Sequence, residues 1–319
     1  MRRPSIRGLS AIGIAFAIAL AGCGSAASSD PYELVLQSSK ATWSPVQVNI
    51  GVKATTNGAT VTLDPANIAF VLDSAGGKGA FHLSLPAAGL GIPASSLAQL
   101  GITGNSIDID LVDDGQALYA KSALFKPVLQ LLLASSGDLP SGDLTGWLKL
   151  GTNAELAAFG AMAQGSIGKP APSASTAAET AASMKTDLEA AGISLTFAGV
   201  EKRNGSDAQH VKITVDSTKL ASNPNFASGA GQNYAQVAAA LKELSIGGDL
   251  WLDVASKHAV EADLHLAQTS GGSDSADLTI TAKDPDGSVS LAGPSSSVDV
   301  PLQQLFAQVL QLMSHQLGG

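Results

Sequence analysis

One cysteine, Cys23, stands in 319 residues. A lone thiol closes no internal disulfide, so nothing of that kind staples the fold. Aromatic residues are scarce at 4%, and charged residues are few at 14%, low for a soluble domain. No apolar run is long enough to span a bilayer comfortably as a helix. Basic residues are the minority, 18 Lys and Arg against 27 Asp and Glu, for a net charge of −9. That balance argues against nucleic acid as a partner and against broad adhesion to anionic headgroups. Catalytic signatures are missing too. There is no Gly-x-Ser-x-Gly elbow and no His-Glu-x-x-His pair. Ser166 and Lys169 have Ser-x-x-Lys spacing but lie in a Gly/Pro-rich stretch rather than at a helix start. The chain therefore reads as a non-enzyme, with no cofactor implied.

What is there begins at the amino terminus. Arg2, Arg3 and Arg7 precede a small, apolar run from Ala11 to Ala21, and no acid occurs before Asp30. This is the order of a secretory leader. Leu20-Ala21-Gly22-Cys23 resembles the lipobox of bacterial lipoproteins. The resemblance implies a diacylglycerol thioether on Cys23, cleavage before it, and a further acyl group such as palmitate on the new amino terminus. Residues 1–22 would be the signal peptide and 23–31 a lipidated tether. The remainder, 32–319, reads as a single domain on the extracytoplasmic face of the cell membrane.

Along that remainder the dominant pattern is period-two alternation. It runs through Val46–Val52, Ile68–Leu72, Phe81–Leu85, Ile107–Leu111, Ile193–Phe197, Val211–Val215, Leu250–Val254, Val260–Leu266 and Leu278–Ala282. Asn57-Gly58 and Asn204-Gly205 read as two-residue hairpin turns. Short connections favour antiparallel neighbours. The expectation is an α+β fold built on one large antiparallel sheet with an apolar face. Helices are expected over Tyr32–Trp43, Pro127–Ala134, Thr176–Ala191 and Tyr234–Leu244. Another is expected at the C-terminus, where Leu302, Leu305, Phe306, Val309, Leu310, Met313 and Leu317 recur at helical spacing. The Gly, Pro, Ser and Ala of residues 164–175 read as a flexible loop.

Glu261, Asp263 and His265 share one strand face, which suits a metal in principle. A solvated strand face accounts for them as well, because the residues between them are the apolar ones. The apolar face of the sheet leaves two readings open. It packs solidly against its cover, or the sheet curves into a half-barrel whose helices leave an apolar cavity for a ligand. The candidate lining is Ile107, Ile109, Val211, Ile213, Leu250 and Leu252. The candidate covers are the helix with Leu129 and Leu132 and the C-terminal helix with Phe306 and Leu310.

Three stretches carry a further resemblance. Gly199-Val200-Glu201 leads through Asn204-Gly205 into the strand Gln209–Asp216. Gly248-Asp249-Leu250-Trp251-Leu252-Asp253 turns through Lys257-His258 into a strand from Val260. Gly146-Trp147-Leu148-Lys149-Leu150 precedes a central helical region. This order resembles LolA/LppX-type (LppX/LprG-like) lipoproteins of bacterial cell envelopes. The resemblance implies a half-barrel sheet closed by helices, and an envelope lipoprotein that binds or carries lipid or lipidated molecules. Its partners would be that ligand, the membrane through acylated Cys23, and a membrane transporter as a candidate. The alternative is a structural or surface-interaction lipoprotein with a solid core.

Overall fold

A computed structural model describes residues 28–87, 93–99, 102, 104–133, 141–156, 180–223, 234–269 and 272–300. Cys23, the 164–175 stretch and the C-terminal segment with Phe306 and Leu310 lie outside the described residues. In chain order the elements are α1 (Pro31–Ser39), β1 (Val46–Thr56), β2 (Ala59–Leu63), β3 (Ile68–Asp73), β4 (Lys78–Pro86), α2 (Ala94–Gln99), β5 (Ser106–Asp113), β6 (Ala117–Lys121), α3 (Phe125–Leu133) and β7 (Leu148–Thr152). They continue as α4 (Ala181–Ala190), β8 (Ile193–Arg203), β9 (Ser206–Val215), α5 (Ser217–Ser222), α6 (Tyr234–Lys242), β10 (Leu244–Asp253), β11 (Ala259–Gln268), β12 (Ser275–Lys283) and β13 (Val298–Asp299). The fold is α+β, with 13 strands in one sheet. Pairing is antiparallel from β3 through β7 and from β8 through β12, whereas β13 lies parallel to β7.

By contact density the chain divides into two compact units. The first comprises residues 1–43, 51–62 and 171–283, and the second 44–50, 63–170 and 284–319. In the first unit the strand order is β12-β11-β10-β9-β8. The β8–β9 hairpin closes through Asn204 and Gly205, with φ of 49° and 86°. Both are left-handed, as a two-residue turn matching the strand twist requires. Asp30 caps α1 by accepting from the Tyr32 amide at 3.0 Å, and Pro31 occupies the first turn. The helix lays Leu34 onto Val211, Ile213, Leu250, Leu252 and Ala259. Ala238 and Leu241 of α6, with Ala221 of α5, cover Ile246, Leu264 and Leu266. Gly192 ends α4 at φ 83°, where a Cβ would come within 2.7 Å of the Asp216 carbonyl oxygen. No other residue fits there.

The β10–β11 turn is built by Asp253, whose Oδ1 accepts from the Ala255 amide at 3.0 Å, the Ser256 amide at 2.6 Å and the Ser256 hydroxyl at 2.9 Å. Partial burial pushes this carboxyl upward, and those donors outweigh it, so its pKa lies below the ordinary aspartate value. Asp253→Ala is expected to cost about 1–2 kcal/mol at neutral pH. A lowered folded pKa means the contribution is fully present above the unfolded aspartate value, near ~4, and is lost as pH falls through the folded value. Urea denaturation across a falling pH series checks this. The gap between wild type and variant should shrink in acid, and a gap that widens would contradict the assignment.

In the second unit the order is β13-β7-β6-β5-β4-β3, followed by the first residues of β1. Its sheet carries buried apolar residues on both faces, one of them beside a polar patch in which His82 Nδ1 lies 2.7 Å from Asp110 Oδ1. Ala69, Val71, Ala80 and Val112 are buried on one, with Trp147, Val289 and Leu291 packed near the last three. Gln47 sits on the same face, fully buried. Its Nε2 donates to Asn49 Oδ1 at 3.0 Å and Ser288 Oγ at 3.1 Å, and its Oε1 accepts from the Asp286 amide at 3.1 Å. The alternation around Gln47 places it on a polar face, but segment 284–291 covers that face and satisfies the amide.

Candidate functional site

The other face of the second unit carries the larger side chains. Register aligns them in rows: Val48, Phe70, Phe81, Leu111 and Ala120 in one, Ile68, Leu83 and Ile109 in the next, and Leu85 with Ile107 in the third. Helices close two sides. Leu97 of α2 packs with Ile107, Ala87 and Ile102, and Leu129 of α3 packs with Leu144, Leu148 and Val300. Between them Val48, Ile68, Phe70, Phe81, Leu83, Ile109 and Leu111 are only half-buried. Leu72 is 50% exposed. The Phe70 and Phe81 rings lie 4.8 Å apart at 37°. The small residues of the opposite face are sealed while the large ones of this face keep contact with water. None of the side chains in these three rows is ionisable, so the rows offer apolar contact and dispersion.

The structure distributes the sequence-predicted lining between the two units. Ile107, Ile109 and Leu129 belong to the second, with Ile107 and Leu129 buried and Ile109 half-buried. Leu132 lies in α3. Val211, Ile213, Leu250 and Leu252 come together in the first unit under Leu34, at 0%, 6%, 5% and 0% exposure. Those four fill a packed core as they stand. Ile213→Trp is accordingly expected to overpack and cost roughly 1–3 kcal/mol. A thermal melt reads it, and an unchanged midpoint would show that space exists beside Ile213.

The polar face of β8–β11 holds a cluster that no motif announces. His210 Nε2 lies 2.5 Å from Asp249 Oδ1 and stacks on Trp251 at 4.8 Å. Arg203 covers the Trp251 ring at 4.0 Å and approaches Glu201 and Glu261 at 3.5 Å each. Trp251 Nε1 donates to Glu201. Burial raises the Glu261 carboxyl above its ordinary value, with Arg203 pulling the other way and Asp263 and Glu201 adding to the rise. Of the residues considered for a metal, Glu261 thus faces Arg203, and His265 pairs with Asp277. Alternation identifies the face, but sequence spacing gives no hint that Arg203 folds over Trp251. Two recesses open among the described residues. One of about 360 Å³ is lined by Glu189, Asp216 and Lys219 among others, and one of about 450 Å³ by Asp249, Asp263, Leu264, His265, Asp277 and Leu278 among others.

The class defined by this architecture is an α+β protein with a large antiparallel sheet and a few covering helices. Among solved structures the chain is similar to the lipoprotein LppX of Mycobacterium tuberculosis, at 12% identity and a TM-score of 0.27 over 75% of this chain and 87% of that one. It is similar to LprF of Mycobacterium bovis at 10% identity and a TM-score of 0.30, over 79% and 90%. It is also similar to a LolA superfamily protein of Nitrosomonas europaea at 9% identity and a TM-score of 0.17, over 76% and 87%. No protein-family model and no curated protein sequence matches the chain.

Proposed function

We propose that this protein is a non-enzymatic envelope lipoprotein, anchored through acylated Cys23, that binds lipid or a lipidated molecule in an apolar cavity. The observation that carries the reading is the half-buried face of Phe70, Phe81, Leu83, Ile109 and Leu111, flanked by α2 and α3. Covering about ten methylenes of an acyl chain there is worth ~8 kcal/mol before ordering costs. Ile107, Ile109, Leu129 and Leu132 would line the cavity, and the C-terminal segment with Phe306 and Leu310 would complete its cover. Val211, Ile213, Leu250 and Leu252 would contribute only after α1 moves off them. A membrane transporter is a candidate partner for this role. Titration with a fluorescent phospholipid tests the reading: saturable uptake is expected, and absence of uptake contradicts it.

One observation favours a second reading. The core under α1 is filled, with Val211 and Leu252 at 0% exposure, as in a structural lipoprotein with a solid interior. Under either reading we propose that residues 32–319 melt as one domain. Proteolysis within 164–175 should nick the chain and leave the halves associated. Two fragments with separate cooperative melts would contradict a single domain.

A further inference from the structure

We propose that the paired β8–β9 and β10–β11 turns of the first unit form the end that meets the lipid surface. The inference rests on the reading of Cys23 as the acylated anchor. The folded chain is pinned close to that anchor. The Ser28 carbonyl accepts from Gln209 Nε2 at 3.1 Å, and Gln209 is 2% exposed. Asp30 then caps α1, so the position of Ser28 is held from both sides. The five residue steps from Cys23 to Ser28 span at most about 17 Å when fully stretched.

Gln209 lies near one end of β9, three residues from Ser206 and six from Val215. At the rise of a strand the turns are about 10 Å from the pinned point and the opposite end about 20 Å. The two turns are tied into one end, because the Val254 amide donates to the Asp207 carbonyl at 2.9 Å. With the turns toward the membrane, the tether reaches the surface while keeping most of its freedom. With the α5 end toward the membrane, a gap of about 20 Å takes up the whole stretched length of the tether and its thioether link, and so costs the tether nearly all of its conformational entropy. The occupant of this end is therefore a lipid surface, brought there by covalent geometry rather than by charge. Lys202 at the β8–β9 turn is already paired with Asp207 at 2.9 Å.

The acylated chain has no free thiol of its own, so one introduced cysteine takes one label. Ser206→Cys and Ala255→Cys mark the turns, and Thr218→Cys in α5 marks the opposite end; all three positions are exposed. Each acylated, full-length variant is labelled with a fluorophore and reconstituted into phosphatidylcholine–phosphatidylglycerol vesicles carrying a headgroup quencher. Strands of ten residues separate the ends by roughly 30 Å, so quenching at the two turns should be at least about twofold stronger than at Thr218→Cys. Equal quenching at all three, or stronger quenching at Thr218→Cys, overturns the orientation while leaving the anchor intact. If none of the variants carries acyl chains or binds vesicles, the anchor reading fails and the orientation falls with it.

Discussion

Cys23→Ser is expected to abolish acylation completely and to leave the uncleaved precursor. Residues 1–22 supply basic residues, an apolar run and small residues before Cys23, and the thiol is the nucleophilic atom that a thioether needs. A serine hydroxyl is close in size and offers no thioether chemistry, so the variant separates the role of sulfur from that of shape. Buried acyl methylenes contribute about 0.8 kcal/mol each, and one chain alone holds a protein only marginally. Two or more chains make attachment stable, so the difference between acylated and bare mature forms amounts to many orders of magnitude in partitioning. Intact mass and incorporation of labelled palmitate read the result directly. A variant carrying normal acyl-linked product would remove Cys23 from the account.

The second large effect is expected at Ile109. This side chain is half-buried, directly across from Leu83 and one row from Phe81 and Leu111. Ile109→Asp would place a carboxylate where the proposed function puts an acyl chain. In the free protein that carboxylate keeps access to water, so the fold should lose only about 1–2 kcal/mol. With ligand bound it is stripped of water and unpaired, at a cost of several kcal/mol, which corresponds to a loss of affinity of at least ~100-fold. Uptake of a fluorescent phospholipid and a thermal melt, measured on the same preparation, distinguish the outcomes. Loss of uptake with a near-normal melt supports the face as the binding surface. Unchanged uptake would place the ligand elsewhere.

The alternation of large apolar residues was enough to locate nine of the strands. It was also enough to place Ile107 and Ile109 on the face of large side chains and Val211, Ile213, Leu250 and Leu252 on one face of β9 and β10. The short strands escaped it. β6 reads Ala-Leu-Tyr-Ala-Lys and β13 is two residues long, so neither offers a period to count. More consequential was the buried patch on the opposite face of β3–β5. Ala69 and Ala80 add little to any hydropathy pattern, yet at 2% and 6% exposure they are more deeply buried than Phe70 or Phe81. Small side chains are what allow Trp147, Val289 and Leu291 to approach on that side. The same limitation hid Gln47, whose burial depends on a segment some 240 residues later in the chain. Sequence order carries the face of each residue. It does not carry what lies over that face, which is why four predicted lining residues sit beneath α1.

The most direct test of lipid binding at the half-buried face is native mass spectrometry of the full-length protein purified gently from its own host. A population heavier than the acylated chain by the mass of a discrete lipid is expected, and that population should be lost in Ile109→Asp. A spectrum with only the acylated chain, together with no adduct after incubation with phospholipid, would contradict it.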